Sequence, residues 1–248
     1  MRIWLICYLF LILWAGGVRA DLGKLEYLTE EYPPYNYNDE QGQPTGLAVE
    51  LLRMVWQQGG VEPQPVRIIP WARGYYLLTQ KPNVVLFSTA RTQAREALFK
   101  WVCPIGYSEF ILLGHSSRPL TLGSIAEISD YRISAVRSDA AEQLLLNNGM
   151  DDSKIIPANR LSQAVKMLVS GRADLLATSK LAGYEAIREL GMRVDDFNVA
   201  LLLSAEQLCY AFSRQVPDGD ITQFQQALTR VLASREFQVL QAKYLPEP

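Results

Sequence analysis

Along most of this chain, short apolar segments with the composition of buried strands alternate with segments of helical periodicity. Val84 to Ser88 carries no polar residue before its end, so it reads as a strand buried on both faces. Leu47, Val49, Leu51, Leu52, Val55 and Trp56 recur mostly at helical spacing, and Gly59-Gly60 ends that helix. Lys24 to Leu28 and Val66 to Ile69 read as strands, and Trp71 to Thr79 as a helix. The rhythm continues with a strand at Arg132 to Val136, a helix at Ala140 to Asn148 closed by Gly149, and an extended pair at Ile155 and Ile156. Ser162 to Ser170 reads as helical and Leu175 to Thr178 as a strand, then Leu208 to Ser213 as one more strand. Two helices follow, Ile221 to Ala233 and Phe237 to Tyr244. Strands separated by helices of this length pair in parallel and are covered on both faces, which makes the fold α/β. On such sheets a ligand sits outside the carboxyl ends of the strands.

Two breaks in the rhythm matter. Tyr32-Pro33-Pro34-Tyr35 holds its backbone extended, because two adjacent prolines forbid regular structure. Asn38 to Gly42 has turn chemistry.

The N-terminus reads as a secretory signal. Arg2 precedes an apolar run from Ile3 to Trp14, Gly16-Gly17 interrupt it, and Val18-Arg19-Ala20 is a small-x-small cleavage site. The mature chain is expected to start at Asp21, in the periplasm. Beyond the signal no run approaches the length needed to span a bilayer.

Of 248 residues, 24 are basic and 26 acidic. Loss of Arg2 and Arg19 with the signal leaves 22 basic residues against 26 acidic ones, a charge near −4. An acidic chain without a Lys/Arg stretch is a poor partner for nucleic acid or an anionic membrane surface. The single histidine, His115, sits in apolar surroundings, so neither a His-rich metal site nor a Ser-His-Asp triad is expected. No GxSxG, phosphate loop or GxGxxG occurs, and no cofactor is expected. Cys103 and Cys209 remain after export and lack metal-ligand spacing. Their compartment permits a disulfide, but spacing alone cannot bring their Cα atoms within reach, and they read as two buried free thiols.

Four motifs occur in order: Tyr32-Pro33-Pro34-Tyr35-Asn36-Tyr37 with Thr45-Gly46-Leu47-Ala48-Val49-Glu50; Ser88-Thr89-Ala90-Arg91-Thr92-Gln93-Ala94-Arg95-Glu96; Val136-Arg137-Ser138-Asp139; and Gly171-Arg172-Ala173-Asp174. Together they resemble the bacterial extracellular solute-binding proteins of family 3, the group that includes polar amino-acid binders of ABC importers. The resemblance implies a two-lobed periplasmic-binding-protein fold, type II-like, each lobe a mostly parallel sheet covered by helices. It also implies two crossings, placed near Tyr107 to Phe110 and near Glu206 to Cys209. Lobe 1 would comprise residues 21–108 with 209–248, and lobe 2 residues 109–208. A small ligand would close the interlobe cleft by touching both walls.

The same resemblance assigns roles. Arg95 matches the arginine that grips a ligand carboxylate, a task suited to a planar two-pronged donor. Ser88 and Ala90 match ligand contacts, although Ala90 offers only its backbone. Tyr32 and Trp71 match the aromatics that cover the ligand. Ser138, Asp139 and Ala140 match a loop whose N–H groups meet the carboxylate at a helix N-terminus; an ordinary helix cap explains them equally. The position that carries an ammonium-binding carboxylate in amino-acid binders is Ser179 here, which has no charge. Arg73 and Arg91 add cations near the cleft, and these features together favour an anionic or neutral polar ligand.

The expected function is therefore solute capture for an inner-membrane ABC permease, by a monomer without enzymatic activity. A periplasmic sensor that delivers ligand to a receptor is the alternative. A dehydratase-like enzyme of the same fold would need a catalytic acid in the cleft, and Glu31 and Glu109 show no paired acid or base in the sequence.

Overall fold

The computed structural model describes residues 22–245. The proposed signal segment lies outside them. Ten strands and eight helices follow in chain order: β1 (Glu26–Thr29), β2 (Tyr37–Asn38), β3 (Pro44–Thr45), α1 (Leu47–Gly59), β4 (Val66–Ile68), α2 (Trp71–Gln80), β5 (Val84–Ala90), α3 (Gln93–Glu96) and β6 (Lys100–His115); then β7 (Ile133–Val136), α4 (Ala140–Asn147), β8 (Ile155–Ala158), α5 (Leu161–Val169), β9 (Leu175–Ser179), α6 (Lys180–Glu189), β10 (Phe197–Phe212), α7 (Asp218–Leu232) and α8 (Arg235–Tyr244).

Eight of the strands form one hydrogen-bonded set in the order β4-β1-β5-β10-β6-β9-β7-β8. Its ends are parallel: β4, β1 and β5 at one end, β9, β7 and β8 at the other. The long antiparallel pair β6 and β10 joins them. Residues 208–212 of β10 pair with β5, and residues 110–113 of β6 pair with β9. Between those stretches Tyr107, Ser108 and Glu109 are registered against Gln207, Glu206 and Ala205 alone. Two halves are thus linked by a two-stranded bridge.

Alternate side chains of the buried strands point to opposite faces. In the first half, Val85 and Phe87 join the core with α1 and α7, whereas Val84 and Leu86 pack with Trp71 and Leu78 of α2. In the second half, Leu175 and Ala177 face α4, and Leu176 packs on Val165, Leu168 and Ile187 of α5 and α6. Leu47, Leu51, Leu52, Val55 and Trp56 form the buried stripe of α1, and Tyr27 meets Trp56 edge-on at 4.8 Å. Each such large apolar side chain contributes roughly 1.5–3 kcal/mol by burial.

The sequence reading missed α6 and the full extent of β6 and β10. Pro104 and Gly106 punctuate β6 like turn residues, yet Pro104 sits where the register of β6 against β10 shifts between Gly106 and Val102, a place that needs no ladder N–H. A second correction concerns the cysteines. Cys103 and Cys209 are not free thiols but a disulfide, with Cα atoms 4.7 Å apart across a separation of 106 residues. The antiparallel register of β6 and β10 brings them together, which no local pattern encodes.

Among the described residues no helix is long and apolar enough to cross a membrane.

Candidate functional site

A cavity of about 480 Å³ lies between the halves. Its walls are built where parallel strands end. Glu30 follows β1, Ile68 ends β4, Ala90 ends β5, Val136 ends β7, Asn159 follows β8 and Ser179 ends β9. Parallel strands direct their carboxyl ends, and the loops after them, to one edge of a sheet, so two such edges facing each other make a pocket.

Tyr32 is held over this cavity by close packing behind it. A Cβ on Gly46 would stand 2.5 Å from the Tyr35 carbonyl, and its φ of 111° is one that side-chain-bearing residues avoid. A Cβ on Gly106 would stand 2.8 Å from the Tyr35 hydroxyl. The two glycines let the Pro33-Pro34-Tyr35 loop press against α1 and the bridge. Tyr32 then shares a 2.8 Å hydrogen bond with Ser108, in the bridge itself. Burial raises its phenol pKa, so it stays protonated. Ser88, at a φ of 56°, donates to Asn36 Oδ1 at 2.5 Å, tying the end of β5 to the same loop.

Arg95 is 1% exposed and lines the cavity from α3. Its guanidinium lies 5.0 Å from the Trp71 ring centre and 5.2 Å from that of Tyr75, within cation–π range of both. Three of its five N–H groups are engaged: Nε donates to Gln143 Oε1 at 2.8 Å, Nη2 to the Ser138 carbonyl at 3.2 Å and Nη1 to the Ala90 carbonyl at 3.4 Å. Trp71 Nε1 donates to the same Ser138 carbonyl at 2.7 Å. Gln143 and Ser138 belong to the second half, so Arg95 and Trp71 fasten the halves together. Burial lowers the Arg95 pKa, opposed first by the charge of Asp139; a guanidinium so placed remains charged.

At the start of α4, Asp139 Oδ1 accepts from the Ala140 N–H at 2.6 Å, and Glu142 Oε2 accepts from the Ser138 N–H at 2.5 Å. Ser138 adopts a φ of 61° there. Of the N–H groups expected to receive a ligand carboxylate, those of Ser138 and Ala140 are therefore bonded to the protein's own carboxylates, and that of Asp139 to the Val136 carbonyl at 3.2 Å. Ser179 caps α6 by accepting from Ala182 N at 3.3 Å.

Seven of the residues singled out in the sequence line the cavity: Tyr32, Trp71, Ser88, Ala90, Arg95, Asp139 and Ser179. Ser138 and Ala140 stand directly behind it, engaged as described. Arg73 and Arg91 are not brought there. Arg73 lies exposed on α2. Arg91 turns outward, with Nε and Nη2 on the carboxylate of Glu96 at 2.7 and 2.5 Å and its guanidinium 5.9 Å from the Trp101 ring centre. Glu96, on the short helix that begins two residues after it, captures it in a local pairing.

The lining also contains the carboxylates of Glu30 and Glu31 from the first half and of Glu185 and Glu189 from α6; of these the sequence reading considered only Glu31, as an acid near the cleft. With Asp139 they make five, against Arg95 and Arg160. Burial pushes the Glu30 carboxyl well above the usual range, with the Asp139 charge adding and Arg95 opposing. Asp139 is raised too, again by burial, against the pull of Arg95 and of the N–H groups of Ala140 and Ala141. Glu189 is raised by burial and then by the charges of Glu185 and Glu31. One signal could have found Glu30: it immediately follows the first parallel strand. Glu185 and Glu189 had none, since α6 itself was not recognised. Among the described residues no group of three or more His, Cys, Asp or Glu side chains is placed to hold a metal.

The sequence matches the family model of bacterial extracellular solute-binding proteins, family 3, over residues 27–247. It is 23% identical over 158 residues to the amino-acid-binding protein AabA of Dichelobacter nodosus, covering 63% of this chain and 62% of that one. It is 25% identical over 156 residues to a probable amino-acid ABC transporter-binding protein of Haemophilus influenzae, covering 61% and 57%. The match thus spans about three-fifths of the length of these curated relatives. Among solved structures, a histidine kinase sensor domain with similarity to periplasmic binding proteins superposes with a TM-score of 0.79 at 19% identity, over 92% of this chain and all of that one. The arginine-, lysine-, histidine-binding protein ArtJ of Geobacillus stearothermophilus gives 0.77 at 16% identity, over 90% and 96%. An ABC uptake transporter substrate-binding protein from Streptococcus pneumoniae with bound histidine gives 0.77 at 16%, over 90% and 92%. These structures share the fold, that of periplasmic binding proteins.

Proposed function

The chain belongs to the bacterial extracellular solute-binding proteins of family 3, and on that footing we propose that it captures a small polar solute in the periplasm and hands it to an ABC importer. The observation that carries this reading is the cavity, walled by strand ends of both halves and spanned by the bonds from Arg95 and Trp71 to Ser138. Its size suits a molecule of amino-acid dimensions. The clamp is taken to consist of residues 21–108 with 209–248 as one lobe and 109–208 as the other, turning about the bridge at 107–109 and 205–207. Tyr32 and Trp71 cover the guest, while Ser88, the Ala90 backbone, Asp139 and Ser179 offer polar contacts. A solute touching both walls stabilises the closed state by its differential affinity. The amino-acid specificity named for the two curated relatives supports a solute with an amino group.

The reading assigns binding without catalysis, so a bound solute is recovered unchanged. A thermal-shift screen of amino acids, amines, small dicarboxylates and sugar acids tests it. A binder at a hundredfold excess over its Kd adds ~2.7 kcal/mol to stability, an effect easily read. NMR of each hit after long incubation must show no product. A screen without a hit, or one in which hits are consumed, rejects the reading. The fold shared with a kinase sensor domain supports a second reading, capture for a signalling receptor. Loss of labelled-solute uptake on deleting the gene separates import from signalling.

A further inference from the structure

We infer that the solute carries a net positive charge, and that Glu30 and Asp139, one from each half, are the seat of its ammonium or guanidinium group. The inference rests on the solute-binding reading and specifies its ligand class. Three observations converge on it.

First, most of the groups that would grip an anion are engaged within the protein. Arg95 donates to Gln143, Ser138 and Ala90, and the N–H groups of Ser138 and Ala140 are bonded to Glu142 and Asp139. An incoming carboxylate would have to displace these bonds and lie beside the Asp139 charge.

Second, the carboxylate of Glu30 faces the cavity with no hydrogen bond or ion pair to it among the described residues. A desolvated carboxylate beside another is unfavourable until a proton or a cation joins them. Arg95 acts on both electrostatically but donates a hydrogen bond to neither. Glu30 therefore has room for a donor from outside, and with Asp139 it presents carboxylates from both halves to whatever supplies one.

Third, the charges around the pair agree in sign. Glu31 from the first half and Glu185 and Glu189 from α6 line the same cavity, and Arg160 is the remaining cation among the lining residues. Tyr32 lines the same cavity and adds an aromatic ring of the kind that accommodates an organic cation, while the Trp71 ring already carries Arg95. Position 179, an uncharged serine, is relieved of the counter-charge role because the charge enters from Glu30, at the end of β1.

The test uses the mature protein with four probes: lysine, 1,5-diaminopentane, glutamine and glutamate, each by thermal shift and titration calorimetry. Lysine and the diamine share a carbon chain and differ in the carboxylate. At least one of these two cations should stabilise the protein. Glu30→Gln should weaken its binding by about tenfold or more, the loss expected for a charged hydrogen bond. Glu30→Asp should restore part of it. Calorimetry in two buffers of different ionisation enthalpy should register proton release on binding, which a purely structural role for Glu30 would not produce. If glutamine or glutamate stabilises the protein and Glu30→Gln changes nothing, the cation seat is overturned while solute binding stands. If no probe and no member of the wider screen binds, both fall. A cation whose affinity Glu30→Gln leaves intact also overturns the inference.

Discussion

Trp71 Nε1 donates across the cavity to the Ser138 carbonyl at 2.7 Å, and Arg95 Nη2 reaches the same oxygen at 3.2 Å. One carbonyl in one half thus receives two donors from the other. Trp71→Phe removes the shorter bond and keeps the ring over Arg95. The expected cost is about 1 kcal/mol, or 2–4 °C in Tm. Small-angle scattering of the solute-free variant should also show a larger radius of gyration. An unchanged Tm and radius would mean that this bond does not hold the halves together.

The disulfide between Cys103 and Cys209 closes a loop of 106 residues that contains the whole second half. Replacing both cysteines with serine should lower stability by about 2–4 kcal/mol, chiefly by freeing the unfolded chain. Urea denaturation of the oxidised protein and the double variant measures the difference. Equal midpoints would contradict the expectation.

Glu30 has a folded-state pKa above its unfolded one, and so does Asp139. The folded state therefore holds protons that the unfolded chain gives up, and this contribution favours folding at acidic pH. It fades as pH climbs from the ordinary carboxylate range through the raised values. Arg95, Arg160, Glu31, Glu185 and Glu189 share the cavity with both groups, and Arg95 opposes the rise in each. Glu30→Gln should stabilise the solute-free protein, by a margin that grows with pH over this window. Paired Tm curves of variant and parent decide it; a constant offset, or one shrinking as pH rises, contradicts the sign. Cation binding should strengthen with pH over the same range, since the seat must be ionised.

Gly46 permits the close contact with Tyr35 on which the placement of Tyr32 depends. Gly46→Ala brings both a clash with backbone and an unfavourable φ, at a cost of about 1–3 kcal/mol. Because the displaced loop carries Tyr32, solute affinity should fall along with stability. Calorimetry on the folded variant checks the second part, and undiminished affinity would separate the loop from the site.

Position by position, the site was partly readable in advance. Arg95 and Tyr32 stand out in motifs of fixed spacing, Trp71 matches a family aromatic by position, and all three line the cavity. Arg91 looked equally available four residues before Arg95, yet Glu96 holds it outside, a choice between neighbours that spacing does not record. Glu30 was passed over because a glutamate beside a strand end looks like any solvated acid until the opposing wall is known. Only the folded chain sets it in one cavity with Asp139, more than a hundred residues later.

The chain alone determined its α/β class and most elements, because helical period, apolar runs and proline or glycine breaks act between near neighbours. It also determined the order of the motifs. Tertiary structure decided what depends on register between distant strands: the disulfide, the two-stranded bridge, and the sign of the charge facing the cavity. Those properties arise where the β6–β10 ladder sets one half against the other, and burial there changes the energy of every carboxylate and N–H group it encloses.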